Sequence, residues 1–227
     1  MKSEVVIGLN RQEVENLSNW EKALSKICEI YFNTESRMEW ILVGSVGSVL
    51  QGCDMTPGDI DIYVKDQEIV GQFAELLQSY SLPSKGGEKH DENWLSSFEE
   101  PTFTQTFPTG FTWTKGRWKI EGVDVEVVNI SNSAGIPDSQ TGNGIWEGGK
   151  YIWDLYKKVS FGPYTIRTVP LEIQLESNYR RQRQERIDAI IKAMKTYGYD
   201  EELLKKSLSS KHLLEFYTAM GMESPIS

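Results

Sequence analysis

The most constraining stretch of the sequence is DIDIYV, residues 59–64, in which acidic and apolar residues alternate. Successive side chains of a β-strand point to opposite faces, so Asp59 and Asp61 share one face while Ile60 and Ile62 share the other. Two such carboxylates lie roughly 6–7 Å apart, and burying them is costly unless a cation or donor lies between them. The pattern predicts a strand whose acidic face binds a divalent metal ion, which takes oxygen ligands.

A short apolar run and a Gly-Ser pair precede this strand. The run Trp40–Val43 is rich in β-favouring residues and predicts a buried strand. The following residues, VGSVLQG, are long enough for about two helical turns and end at Gly52. The free N–H groups and the dipole at the start of a helix favour a phosphate. We therefore expect Gly44 and Ser45 to bind phosphate, beside carboxylates suited to metal-assisted phosphoryl or nucleotidyl transfer.

A second acidic pair occurs in the segment GVDVEVVNI, residues 122–130, at the end of a β-rich region. Glu121 and Gly122 predict a hairpin turn before this strand. Asp124 and Glu126 then share one face of it. For either acidic pair, the alternative is a set of solvated surface carboxylates without a catalytic role.

The order of these features resembles the nucleotidyltransferase signature of the DNA polymerase β superfamily, and in particular its small bacterial members. In that signature a strand ends in Gly-Gly or Gly-Ser, and Asp-x-Asp or Asp-x-Glu follows after about a dozen residues. Here the spacer is residues 46–58. The resemblance implies a third carboxylate on a later strand. Members often read Gly-Val-x-Val-Asp there, which aligns the third carboxylate with Glu126, a departure from Asp, and leaves Asp124 as the alternative.

The function that this resemblance implies is transfer of a nucleoside monophosphate from a nucleoside triphosphate to a hydroxyl acceptor, with release of pyrophosphate. Asp59, Asp61 and Glu126 would be catalytic and would hold a pair of Mg²⁺ ions. Gly44 and Ser45 would contact the phosphates.

The C-terminal part of the chain has helical periodicity from Pro170, and we expect one helix that ends at Gly198. Arg180, Arg183 and Arg186 recur at intervals of three residues and would share a face of it. We expect Arg180 and Arg183 to bind the nucleotide, because guanidinium groups bind phosphate bidentately. Members of the family carry a basic residue on the helix after the core. A solvated charged face remains the alternative.

These elements together predict an α/β (α+β) fold with a small mixed sheet, flanking helices and a C-terminal helical extension. Residues 1–168 would form the nucleotidyltransferase core, with a packing helix over residues 10–32, and residues 169–227 a helical subdomain. Residues 131–149, with five glycines, predict a long loop, which one hypothesis makes a lid over the cleft.

Composition restricts the partners. A net charge of −9 and a pI near 4.9 disfavour long nucleic acid and would attract a cationic acceptor, so we favour a small-molecule acceptor over nucleic acid or protein. The sequence has neither an apolar run of about 20 residues nor a signal-peptide pattern, which predicts a cytoplasmic protein with no membrane partner. Cys28 and Cys53 lie in no metal-ligand cluster. No oligomeric state is predicted.

Two other functions fit the same residues. A toxin-like nucleotidyltransferase acting on tRNA or protein would suit the arginine-rich helix. A non-catalytic nucleotide sensor would retain the fold without turnover, although the intact Asp59/Asp61 pair disfavours it.

Overall fold

A computed structural model describes residues 17–34, 37–85, 90–91 and 93–222. Within these ranges one seven-stranded mixed sheet carries seven α-helices around it, which confirms the predicted α/β class. No helix of the described ranges is both long enough and apolar enough to cross a bilayer.

The elements follow one another along the chain with short connections through most of its length. The strands are β1 (Trp40–Val43), β2 (Asp59–Val64), β3 (Phe103–Thr106), β4 (Thr112–Ile120), β5 (Val123–Asn132), β6 (Lys157–Phe161) and β7 (Tyr164–Thr168). The helices are α1 (Asn19–Phe32), α2 (Gly44–Val49), α3 (Gln67–Leu76), α4 (Leu171–Arg180), α5 (Gln184–Tyr197), α6 (Glu201–Ser207) and α7 (Ser210–Met220).

The sheet has the strand order β3-β4-β5-β2-β1-β7-β6, which places β2 between β5 and β1. Strand β2 is parallel to β5 and antiparallel to β1. In the parallel pair Asp59 is opposite Asp124 and Asp61 is opposite Glu126. Residues in register share a face of the sheet, so the two acidic pairs lie side by side.

The two faces of the sheet differ in chemistry, as the alternation in β2 predicts. On one face Ile60, Ile62, Val125 and Val127 are fully buried in a core that includes α1 and α3. The opposite face carries the four acids. Beside them lies a smaller apolar cluster, which is formed by residues of the sheet, of the loop after β5 and of α4. That cluster contains Ile41, Val43, Ile145, Ile152, Val169 and Ile173.

Two tight turns join neighbouring strands, and the first of them is the hairpin turn that the sequence predicts. Strands β4 and β5 join at Glu121 and Gly122, with φ values of 50° and 79°. Positive φ at both central residues is typical of the type I′ turn, whose twist matches that of the strands. Strands β6 and β7 join at Gly162-Pro163. Before these hairpin strands, residues Lys150–Trp153 form a 3₁₀ turn, and β6 follows it.

Helix α1 forms the later part of the packing helix predicted over residues 10–32. Ser18 precedes α1 in an extended conformation, and its backbone N–H donates to the Glu21 carboxylate at 2.8 Å, as in a capping box. The predicted start of that helix, at residue 10, lies outside the described residues.

The prediction of one continuous helix from Pro170 to Gly198 is wrong, because the chain breaks between α4 and α5. Gln182 adopts a left-handed conformation with φ of 53°. Its N–H donates to the Tyr179 carbonyl, and the Arg183 N–H donates to the Asn178 carbonyl at 3.1 Å. These two bonds form a Schellman motif, which ends a helix. The division into a core and a helical subdomain at residues 168 and 169 stays a prediction.

Candidate active site

The corner between β1 and α2 brings Gly44 against the acidic strand. Gly44 has a φ of +66°, in the left-handed region that favours glycine. A Cβ atom built at this position would lie only 2.9 Å from Oδ2 of Asp61. The structure therefore brings together the predicted phosphate corner and the predicted catalytic pair.

The hydroxyl group of Ser45, next to this corner, is buried, and its Oγ has no hydrogen-bond partner in the described residues. The neighbouring Ser48 Oγ instead bonds the side chain of Gln174 on α4, which ties α2 to that helix. An unpaired buried hydroxyl is unfavourable by about 1–3 kcal/mol. A phosphate oxygen at this place would satisfy it, which fits the predicted role of Ser45.

The surroundings of Asp61 disfavour the charged form of its carboxyl group. Asp59 is exposed, whereas Asp61 is partly buried. Burial first, and then the charges of Asp59, Glu126 and Glu147, raise the pKa of Asp61 to about 7, with Arg186 opposing them. A group in this environment gains from a nearby cation.

The acids of β5 have the opposite environment, because three cations of β4 face them. Asp124 Oδ2 lies 3.0 Å from Arg117 Nη2, and its Oδ1 lies 2.7 Å from Lys119 Nζ. Glu126 Oε1 lies 3.1 Å from Lys115 Nζ and 3.4 Å from Arg117 Nε. Burial alone would raise the pKa of Asp124, but Lys119 and Arg117 together hold it below its usual range.

The predicted third carboxylate is therefore in place but already paired. Glu126 is in register with Asp61, and Asp124 is in register with Asp59. Across the described ranges, no group of three His, Cys, Asp or Glu side chains is arranged to hold a metal ion. The residues fit a cation at Asp59 and Asp61, and Glu126 or Asp124 could join them only by leaving its partners on β4.

A further acid, Glu147, enters the site from the loop after β5, and the sequence did not predict it. Only 4% of Glu147 is exposed, and its Oε1 accepts from Arg181 Nη1 at 2.9 Å. Its backbone N–H donates to Ser177 Oγ on α4. Its charge acts on both Asp61 and Tyr63, whose pKa values it helps to raise. The only sequence signal was an acid within a glycine-rich loop.

The arginines at the junction of α4 and α5 divide between two tasks. Burial first, and then the charges of Arg181 and Arg186, lower the pKa of Arg183, while Glu147 and Asp61 oppose them. Arg181, Arg183 and Arg186 therefore form a cationic cluster near the acids, with Arg183 itself exposed. The predicted Arg183 is in this cluster, and Arg181 and Arg186 add to it.

Arg180, the other predicted nucleotide-binding residue, is engaged elsewhere. Its Nε lies 2.8 Å from Glu176 Oε1, and its Nη1 donates to the Pro137 carbonyl at 2.7 Å. Its Nη2 donates to the carbonyls of Asn143 and Gly144. All three side-chain nitrogens of Arg180 therefore have hydrogen-bond partners within the protein. The break between α4 and α5 separates Arg180 from Arg183, and Arg180 faces the loop. The structure therefore corrects its expected role, and Arg180 anchors residues 133–149.

A cavity of about 620 Å³ lies beyond Tyr63, toward the opposite end of β2 from Gly44. Its lining includes residues of β2, of β5, of the loop after β5 and of the 3₁₀ turn. The predicted lid is thus a wall of this cavity. Its volume falls in the range of small-molecule binding sites.

Comparison with known proteins identifies the fold. No protein-family model matches the chain, and no curated protein matches it. The structure is similar to a crystal structure from Thermotoga maritima named as a "putative nucleotidyltransferase", with a TM-score of 0.50 and 18% sequence identity. The match covers 84% of this chain and 98% of that chain. At this identity the likeness shows the fold alone, and the chain has a nucleotidyltransferase fold.

Proposed function

We propose that the chain is a metal-dependent nucleotidyltransferase of the DNA polymerase β superfamily. The supporting observation is the register of β2 with β5, which sets Asp59 and Asp61 beside Asp124 and Glu126, next to the tight corner at Gly44. The neighbour of known structure has the same fold and bears a nucleotidyltransferase name. The reaction moves a nucleoside monophosphate from a nucleoside triphosphate to a hydroxyl acceptor.

Asp59 and Asp61 would hold Mg²⁺, and the raised pKa of Asp61 supports a cation at this place. When bound there, Mg²⁺ would supply charge neutralisation and orientation for the phosphate oxygens of the substrate. A second Mg²⁺ ion would need Glu126 as a ligand. The carboxylate of Glu126 would then have to give up its contacts with Lys115 and Arg117.

The other residues of the chain bind and position the substrate. Gly44 permits close approach of its backbone to the phosphates, and the unpaired hydroxyl of Ser45 donates to one of their oxygens. Arg183 and Arg186 neutralise the outer phosphates. The acceptor hydroxyl gives up its proton to solvent water, and its oxygen forms a bond to the α-phosphorus. The bond from that phosphorus to the bridging oxygen breaks, and pyrophosphate leaves. Positioning and charge neutralisation supply most of the rate in such reactions.

The test is a labelling experiment. Each of the four common nucleoside triphosphates, labelled at the α-phosphate, is incubated with Mg²⁺, the full chain and a cell extract. We expect label to enter a product with one or more of them, and the Asp61→Asn variant to give none. Absence of labelled product and of pyrophosphate with all four nucleotides would contradict the proposal. The size of the product separates a small acceptor from tRNA or protein.

A second candidate, a nucleotide-binding protein without turnover, has one observation in its favour. Glu126 is paired with Lys115 and Arg117, and in the described part of the chain no three acidic side chains are arranged to hold a metal ion. This function predicts that nucleotide with Mg²⁺ raises the melting temperature, since ligand that binds only the native state stabilises it. The same samples would then show no transfer of label.

A further inference from the structure

The cavity beyond Tyr63 is lined by both aromatic and polar residues. Three aromatic residues, Tyr63, Trp146 and Trp153, line it together with Ile130, Ile136 and Ile152. Trp146 is held in place, because Phe111 packs against its ring and its backbone N–H donates to Asp138. Pockets of this kind bind small ligands through ring faces, with a few polar groups that fix orientation.

The charges around the cavity are balanced and mostly already partnered. Lys65 pairs with Glu39 at 3.1 Å, and Lys150 has its ammonium 5.0 Å from the centroid of the Tyr151 ring. The carboxylate of Asp138 accepts from two backbone N–H groups, those of Trp146 and Lys150. The lining contains two lysines and two aspartates in total. This environment favours a neutral ligand over a polycation or a polyanion.

The position of the cavity along β2 relates it to the reaction. Gly44 and Ser45 lie at the Asp61 end of β2, since Val43 is opposite Asp61. Tyr63 is two residues further along β2 on the same face, and Lys65 follows the strand. At about 3.3 Å per residue, the cavity begins roughly 7 Å from Asp61.

The geometry of in-line displacement indicates which end of β2 would bind the pyrophosphate and which would bind the acceptor. The attacking and the leaving oxygens lie on opposite sides of the α-phosphorus. If the pyrophosphate lies by Gly44 and Ser45, the acceptor must approach from the opposite direction, which is the cavity side.

We propose that the cavity beyond Tyr63 binds the acceptor, and that the acceptor is a neutral hydroxylated ring compound of small-molecule size, such as a mono- or disaccharide or a nucleoside. This inference rests on the proposed function for the acceptor role. The ring of the ligand packs against Trp153 and Trp146, and one hydroxyl group points along β2 toward Asp61.

The first test measures binding without nucleotide or metal. Glucose, maltose, uridine and adenosine are each titrated into the full chain by saturation-transfer NMR, beside kanamycin and a short single-stranded RNA. We expect a neutral ring compound to bind. The Trp153→Ala variant should weaken this binding at least about tenfold, since aromatic contacts contribute about 1 kcal/mol or more. The matched control is Trp20→Ala, which removes the same side chain from α1 on the opposite face of the sheet.

A second variant protects the test against a folding defect in Trp153→Ala. Ser133 lines the cavity from an irregular loop, so Ser133→Trp should fill the space and abolish binding. Gln140→Trp places the same bulk in that loop but outside the lining, and should bind as the unmodified chain does.

The last measurement separates this inference from the proposed function. With Mg²⁺ and a labelled triphosphate, the probe that binds should become labelled, and Ser133→Trp should raise its KM while the nucleotide KM stays unchanged. Ring binding that either cavity variant leaves intact, or binding of kanamycin or RNA alone, overturns the inference. No binding by any of the four ring compounds also overturns it. The labelling experiment with cell extract, run on the same protein, shows whether the proposed function survives that result.

Discussion

The two acidic strands of the site lie side by side on one face of the sheet, yet their charges are compensated in different ways. On β5, Asp124 and Glu126 are paired with Lys115, Arg117 and Lys119 of β4. On β2, Asp61 has the acids Asp59, Glu126 and Glu147 around it and a pKa raised to about 7. The difference teaches that the protein supplies the counter-charges for β5, whereas Arg186 only partly offsets the acids around Asp61, and the proposed function assigns the remaining counter-charge to a bound cation.

The largest expected effect comes from neutralising β2. Asp61→Asn and Asp59→Asn should each reduce transfer at least about 100-fold, because several kcal/mol of transition-state stabilisation depend on the bound cation. The fold should survive, as judged by circular dichroism. Asp54→Asn is the control, since Asp54 is exposed and pairs only with Lys192. Turnover retained in both β2 variants would show that the two strands do not differ in function.

The next largest effect is expected when a cation that pairs with the acids of β5 is removed. Arg117 is largely buried and contacts both acids of that strand. Arg117→Met should lower the free energy of unfolding by about 2–3 kcal/mol, because it leaves half-buried carboxylates short of a partner. Lys119→Met, at a side chain that is 52% exposed, should lower it by less than about 1 kcal/mol. Urea unfolding measures both, and equal losses would contradict the assigned compensation.

A smaller loss is expected at the corner that touches β2. Gly44→Ala should destabilise the protein by about 1–2 kcal/mol, since alanine is disfavoured at positive φ and its Cβ would lie against Asp61. Gly58→Ala is the matched control, because its Cβ would meet nothing within 4 Å and its φ is not positive. A neutral result at Gly44, measured by urea unfolding, would mean that the corner does not restrict Asp61.

The smallest expected effect is stabilisation by Mg²⁺ alone, which tests directly whether β2 or β5 lacks counter-charge. Millimolar Mg²⁺ without nucleotide should stabilise the unmodified chain by about 1 kcal/mol, a rise in melting temperature of roughly 2–4 °C. The shift should vanish in Asp61→Asn and persist in Glu126→Gln, if β2 alone lacks counter-charge. If the rise in melting temperature depended on Glu126 instead, the uncompensated charge would lie on β5 and not on β2.

Much of this arrangement was predictable from local patterns. The alternation in β2 and β5 predicted which acids share a face, because the side-chain period of a strand is fixed. The Gly44 corner followed from an apolar run that stops at a glycine. Only the structure shows that β2 and β5 pair in parallel with Asp61 opposite Glu126, since register between strands distant in sequence depends on tertiary packing.

Three features of the site had no adequate local signal. Glu147 lies in an irregular loop, and its burial depends on Arg181 and Ser177, which follow some 30 residues later. The break between α4 and α5 depends on a glutamine, Gln182, at a left-handed position where glycine is the usual residue. The role of Arg180 was mistaken for the same reason, because a continuous helix would have aligned it with Arg183.

The loop after β5 is anchored by a buried network of hydrogen bonds. Glu176 is buried, and its carboxylate contacts Arg180 Nε, the Ser209 N–H and His212 Nδ1, each within 2.9 Å. Arg180 in turn grips three carbonyls of the loop. An outward movement of the loop would break all of these hydrogen bonds at once. We therefore expect the loop to keep its position when a ligand binds. If the cavity binds the acceptor, as we propose, acceptor and product would therefore enter and leave between fixed walls.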